Sequence, residues 1–254
     1  MVIQNKDRIT EALNADFGTR SQNQSLISDV YGVLPAFSHA KKHLKSWMKD
    51  EKRKSNFPFS LMGAKSYIHR EPLGIIGMIS PWNFPMYLSL APLAGIFSAG
   101  NQVMHKPSEF TPITSELLKE ICDSSFDETE FATFLGGPDV GESFTKLKFD
   151  HLLFTGSGNI GKHVMRAAAD NLVPLTLELG GKSPVIVSDS SNIDITARRV
   201  MFNKTLNAGQ ICLAPDYVYV HETEKDNFVE ACKKQVNNFY SCLLYTSDAA
   251  DDTP

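Results

Sequence analysis

From Leu73 to Val187 short apolar runs alternate with helix-length segments, and that rhythm leaves few architectures open. "LGIIGMIS", "NQVMHKPS", "FATFLGG", "HLLFTGS" and "LTLELGG" read as strands, while "PMYLSLAPLAGIFSAG" reads as one buried helix. "PITSELLKEICDSS" and "NIGKHVMRAAADN" supply further helices between strands. Strands joined by helices of this length return in the same direction through right-handed crossovers, so the expectation is an α/β fold built on a parallel sheet. "SPVIVS" and "DYVYV" add strands around the helix-like "NIDITARRVMFNKTLN".

Ahead of this region Leu26, Val30, Val33, Phe37, Leu44 and Trp47 recur at helical intervals, which predicts a helical arm within residues 1–60, kinked at Pro35. Its basic end, "KKHLKSWMKDEKRK", reads as a solvated helix face rather than a docking surface for an acidic partner or membrane. At the other end Phe228, Cys232, Val236 and Phe239 keep a helical stripe that "CLLYTSDAADDTP" abandons. That stretch resembles the translated read-through of a transposase adapter, so residues 241–254 are expected to be a non-native tail, with a native acidic tail as the alternative.

With 254 residues, 42% apolar, 21% charged and a formal charge of −4, the chain can bury a core and lacks the signature of disorder or of an electrostatic nucleic-acid binder. Four widely spaced cysteines, without a C-x-x-C pair or clustered histidines, argue against a metal site or disulfide framework and fit a reducing compartment. "MVIQNKDRIT" has no apolar signal-peptide core, and no run approaches the roughly 18 apolar residues of a membrane span. The expectation is a cytoplasmic protein with no membrane contact and a small-molecule substrate.

"HLLFTGSGNIGK" carries Gly156, Gly158 and Gly161 in the G-x-G-x-x-G spacing between a strand and a helix, where backbone amides approach a pyrophosphate. Glu178 even stands where such a fold has its ribose-binding acid. Yet a nucleotide-binding Rossmann sheet usually carries this fingerprint after its first strand, and here several βα units come before it. The other motifs decide between these readings. "PWNFP" (81–85), "KPSE" (106–109), "FTGSGNIG" (154–161), "LELGGKSP" (177–184) and "GQICLAPD" (209–216) stand in the order and spacing of the aldehyde dehydrogenase superfamily, which the chain resembles over nearly all of residues 9–240. "HAKKHLKSWMK" and "ISPWNFPMYLSLAPLAGIFSAGN" look most like the coniferyl aldehyde dehydrogenase group, a branch near the class 3 enzymes.

The resemblance implies a parallel Rossmann-type NAD-binding sheet with a helical arm over 1–180, the first part of an α/β catalytic domain over 181–240, and roles for individual residues. Cys212 matches the nucleophile, whose thiolate is the attacking form. Asn83 matches the oxyanion-hole amide and Glu178 the general base. Ribose recognition passes to Lys106 and Glu109, with Pro81, Trp82, Gly156, Ser157, Ile160 and Gly161 completing the cofactor-contacting set. Gly158 stands where relatives more often carry Ser or Thr, so the perfect glycine spacing reads as coincidence. Cys122 and Cys232 fall on apolar helix faces and read as structural. Met86 and Tyr87 face two readings, lining of an aldehyde tunnel or packing against the following helix.

The implied reaction is NAD-dependent oxidation of coniferyl or a related aromatic aldehyde to the acid, with NADP as second cofactor and medium-chain or fatty aldehydes as alternative substrates. A homodimer is implied for the full-length protein. A short-chain reductase would need a Tyr-x-x-x-Lys pair, which the sequence lacks. A coenzyme A-acylating relative generally dispenses with the water-activating Glu. The rival from another class is an inactive fragment that at most binds a nucleotide.

Overall fold

The computed structural model describes residues 1–248, with side chains through Tyr240. Two compact units divide the chain, Met1–Leu179 and the residues from Gly180 onward. The first begins with α1 (Lys6–Phe17), which buries Ile9, Ala12 and Leu13 on one face. Gly18, at φ +79°, ends it, and its N–H donates to the Asn14 carbonyl. The arm continues through α2 (Gln22–Ser25), a π-helical turn (Leu26–Val30), a 3-10 turn (Tyr31–Val33) and α3 (Leu34–Trp47). Pro35 therefore kinks nothing. It sits in the first turn of α3, where its missing N–H has no intrahelical partner to lose.

A short antiparallel pair follows, β1 (Glu51–Arg53) with β2 (Ser66–Ile68), whose charged residues gave no alternation to detect. Then come β3 (Ile75–Ile79), α4 (Pro85–Leu90), α5 (Leu93–Ser98), β4 (Gln102–Lys106), α6 (Pro112–Asp123), β5 (Phe131–Thr133), α7 (Pro138–Thr145), β6 (His151–Gly156), α8 (Gly158–Ala169) and β7 (Leu175–Leu179). The single helix expected over residues 85–100 is two, because Pro92 cannot donate to the preceding turn. α7 escaped notice in the sequence, since its "PDVGESFT" is short and largely polar.

The five strands β3 to β7 form a parallel sheet in the order β5-β4-β3-β6-β7. Chain progression therefore reverses between β3 and β6, the switch point at which open α/β sheets leave a crevice beyond the strand carboxyl ends. Helices cover both faces. Ile9, Leu13, Val30, Val33, Met86, Leu118 and Ile121 join Met78, Val103 and Phe131 in one core. Phe144, Phe149, Val164 and Ala168 pack with Leu152 and Phe154 in the other.

The second unit has β8 (Ser183–Val187) parallel to β9 (Pro215–Val220), with α9 (Ile193–Thr205) and α10 (Lys225–Asp248). The Asn192 side chain caps α9 by accepting the Ile195 N–H at 3.0 Å. Val187, Ala197, Val200, Phe228 and Ala231 form its core. α10 runs on past the junction at which the non-native tail is expected, with a non-helical residue, Tyr240 (φ −131°, ψ 24°), at that point. Residues 249–254 of that expected tail lie outside the described residues. Among the described residues no helix is long and apolar enough to cross a membrane.

Leu152, fully buried on the interior strand β6, tests the sheet's core. Leu152→Ala is expected to cost about 2–5 kcal/mol, read as a lower urea midpoint at unchanged m-value.

Candidate active site

Parallel pairing carries four motifs to one edge of the first unit's sheet. "PWNFP" follows the carboxyl end of β3, "KPSE" that of β4 and "GSGNIG" that of β6, while Glu178 is the penultimate residue of β7. The switch point thus lies between the loop holding Pro81, Trp82 and Asn83 and the glycine-rich turn. This arrangement explains the late fingerprint. The sheet's first strand, β3, carries the proline-rich loop, and the glycines sit across the crevice on β6.

The glycine turn is built for packing as much as for a ligand. A Cβ on Gly156 would lie 2.6 Å from the Phe154 ring, and one on Gly161 3.1 Å from Leu179 Cδ2, whereas one on Gly158 would meet nothing within 4 Å. A side chain at Gly156 would displace the Phe154 ring and one at Gly161 would crowd Leu179, while Gly158 has room. Ser157 caps α8, its Oγ accepting the Ile160 N–H at 3.3 Å, and its carbonyl accepts the Gly161 N–H at 2.9 Å. Two amides of the opening turn are committed internally, while the Ile160 side chain is exposed.

Lys106 and Glu109 form a pair at the end of β4. Pro107 sends the chain out of the sheet, and Lys106 Nζ donates to Glu109 Oε2 at 2.9 Å and to the Pro107 carbonyl at 3.0 Å. The lysine side chain is 4% exposed and the glutamate 33%, so the ammonium is fixed while the carboxylate keeps an open side. Partial burial raises the Glu109 carboxyl, but the Lys106 hydrogen bond, its own backbone N–H and the Lys106 charge outweigh it, leaving it below the usual range. Beneath the pair, burial and then the Lys106 charge push His105 down to about 3. A neutral His105 bonds Ser80 at 2.8 Å, and Ser80 bonds Ser89 at 2.7 Å, tying β4 to β3 and α4.

Cys212 belongs to the second unit, in the connection between α9 and β9, and is partly buried. The residues before it are strained. Asn207 (φ 52°) and Ala208 (φ 54°) are left-handed, followed by Gly209 (φ 77°). The left-handed conformation costs Ala208 about 1–2 kcal/mol, and such strain clusters at functional segments. Asp216, after the cysteine turn, is bound by Lys182 at 3.1 Å, with Lys204 at 3.9 Å. Cys122 is fully buried, and desolvation pushes its thiol up to about 12, the behaviour of an inert core residue. Met86 is fully buried in the core and Tyr87 37% exposed, so packing accounts for the first of these two.

The aldehyde dehydrogenase family model matches residues 1–241. The chain belongs to the aldehyde dehydrogenase family. It is 51% identical over 249 residues to a probable coniferyl aldehyde dehydrogenase of Caulobacter vibrioides, covering 98% of this chain and 51% of that protein. Among solved structures, the substrate-bound AldH of Staphylococcus aureus superposes with a TM-score of 0.89 at 38% identity, covering 94% of this chain and 52% of that one. A Mycobacterium tuberculosis aldehyde dehydrogenase complexed with NAD+ superposes with a TM-score of 0.83 at 28% identity, over 93% of this chain and 48% of that one. The chain spans about half the length of the curated relatives it matches.

Sequence reasoning overlooked Arg20 and Asp29, an ion pair with 2% and 0% side-chain exposure that reaches the "PWNFP" loop. A signal was there. Asp29 stands three residues after Leu26 and four before Val33, a charge on the arm's apolar face.

The unequal glycines and the cap make a testable pair. Ser157→Ala is expected to cost about 1 kcal/mol in thermal unfolding, and Gly158→Ala to cost nothing.

Proposed function

We propose that the protein oxidises an aldehyde to its carboxylic acid with NAD, NADP being the weaker cofactor, and that coniferyl or a related aromatic aldehyde is the substrate. One observation carries the reading. In a chain of this family, four motif segments converge on the carboxyl edge of the first unit's sheet, around its switch point. The naming of the Caulobacter relative, at 51% identity, supports the substrate class.

The residues fit a dinucleotide. Glu109 offers a half-open carboxylate to ribose hydroxyls beside a fixed Lys106 ammonium, and the same carboxylate repels a 2′-phosphate, which favours NAD. Pro81, Trp82, Gly156, Ser157, Ile160 and Gly161, in the segments at the carboxyl ends of β3 and β6, would contact the pyrophosphate and nicotinamide. When bound, the nicotinamide supplies a hydride acceptor.

The chain's own residues do the remaining work. The Cys212 thiolate adds to the aldehyde carbon, and the Asn83 amide donates to the oxygen as it gains negative charge, a contact of a kind worth about 2.7–4 kcal/mol. Once the carbon has lost its hydride, a thioester links it to Cys212. Glu178 takes a proton from water as that water attacks, and the acid leaves with Cys212 again a thiolate. A coenzyme A thiol could intercept the same thioester, but a carboxylate in the general-base position favours water.

Three outcomes follow. Cys212→Ala should abolish the initial burst of reduced cofactor in stopped-flow absorbance, and an undiminished burst would refute the covalent step. Glu109→Gln should raise the NADP-to-NAD ratio of kcat/KM by about tenfold, or 1.4 kcal/mol. Residues 1–254 should show quenched tryptophan fluorescence on adding NAD.

A further inference from the structure

The Arg20–Asp29 pair is buried where the arm meets the "PWNFP" loop. Arg20 lies between α1 and α2, and its Nη2 donates to Asp29 Oδ2 at 2.5 Å and to Ser28 Oγ at 3.0 Å. Its Nη1 donates across to the Asn83 carbonyl at 3.1 Å. Asp29 in turn uses Oδ1 to accept the N–H groups of Met86 at 3.1 Å and Tyr87 at 3.2 Å. These are opening amides of α4, whose own N-cap residue, Phe84, makes no side-chain cap. The guanidinium also sits 4.7 Å from the Phe17 ring centre and 5.2 Å from that of Phe84. The carboxyl side of Asn83 is thereby held twice, by Arg20 at its own carbonyl and by Asp29 at the helix start just beyond it.

Stability alone is a poor reason for such an arrangement. Two charges are taken out of water, and replacing a buried ion pair with apolar residues is often neutral or stabilising. What the pair adds is geometry. An oxyanion donor acts only if its position is fixed before charge develops, and a misplacement of about 1 Å can cost about 100-fold in rate. Pro81 and Pro85 fix two φ angles of the loop, and the ion pair anchors the residues between and after them to the arm.

We propose that Arg20 and Asp29 are positioning residues for aldehyde oxidation, holding the Asn83 loop so that its amide meets the developing oxyanion. The proposal rests on the oxyanion role given to Asn83 above. Both side chains are buried, at 2% and 0% exposure, so on this proposal they act through the loop rather than on the aldehyde itself.

The test is a double-mutant cycle on kcat of the catalytically active protein, with Asn83→Ala as the common background. Asp29→Asn keeps a carbonyl for the α4 amides but turns an NH2 toward Arg20. Arg20→Lys keeps the charge but cannot bridge Asp29 and the Asn83 carbonyl with one planar group. Each should lower kcat at least about tenfold in the parent, with KM for NAD within about twofold, and should change kcat less than about twofold once Asn83 is alanine. Equal losses in both backgrounds would show general structural damage and overturn the proposal. Should Asp29→Asn fail to fold, Arg20→Lys decides by the same comparison. If Asn83→Ala by itself leaves kcat unchanged, the oxyanion role fails first and the positioning role goes with it.

Discussion

The parallel pairing of β3, β4, β6 and β7 is the constraint on which the first unit's candidate site depends. Because these strands run the same way, every loop leaving a carboxyl end emerges on one edge of the sheet, however far apart the loops stand in sequence. Because β3 and β6 are neighbours while the chain winds outward from each in opposite directions, the loops after them diverge and leave a crevice. Register makes this concrete. Ile79 pairs with Lys106 on one side and Phe154 on the other, so β3 and β4 end level while β6 runs two residues further, to Gly156.

Polar groups beneath that edge are settled in a graded way. Deepest, His105 is neutral and joined through Ser80 to Ser89, locking β4 against β3 and α4. Nearer the surface Lys106 is fixed by Glu109 while the carboxylate remains partly open. The loop after β3 is held from outside the sheet, by the arm's ion pair. Rigidity is thus assigned to the groups that orient, and access to the group that would meet a ribose. In the second unit the cysteine turn follows a run of left-handed residues that includes a strained alanine, a cost the fold accepts immediately before its candidate nucleophile.

Much of this was legible in the chain. Strand and helix alternation gave the parallel sheet, because period and length suffice to tell the two apart when strands are short and apolar. The motif segments gave the candidate residues, because each pairs a backbone constraint with a functional side chain, as in Pro107 after Lys106. Errors fell where local pattern carries no information. The hairpin of "EKR" with "SYI" and the helix of "PDVGESFT" have no apolar period. Pro35 and Pro92 differ from expectation because a proline's effect depends on whether it stands in a first turn or an interior one.

The sequence by itself determined the fold class and the family and singled out candidate reactive groups, since these follow from hydrophobic period and from residue types at fixed spacing. Only the tertiary structure decided which glycines of "GSGNIG" are closely packed and what anchors the Asn83 loop. The close approach at Gly156 comes from the ring of Phe154, and at Gly161 from Leu179, a residue of a neighbouring strand. Asn83 is anchored by side chains that stand 63 and 54 positions before it, if the hydrogen bond from Arg20 and the cap from Asp29 are traced back along the chain. Contacts between such distant positions arise when burial brings their elements together, and no local window of sequence contains them.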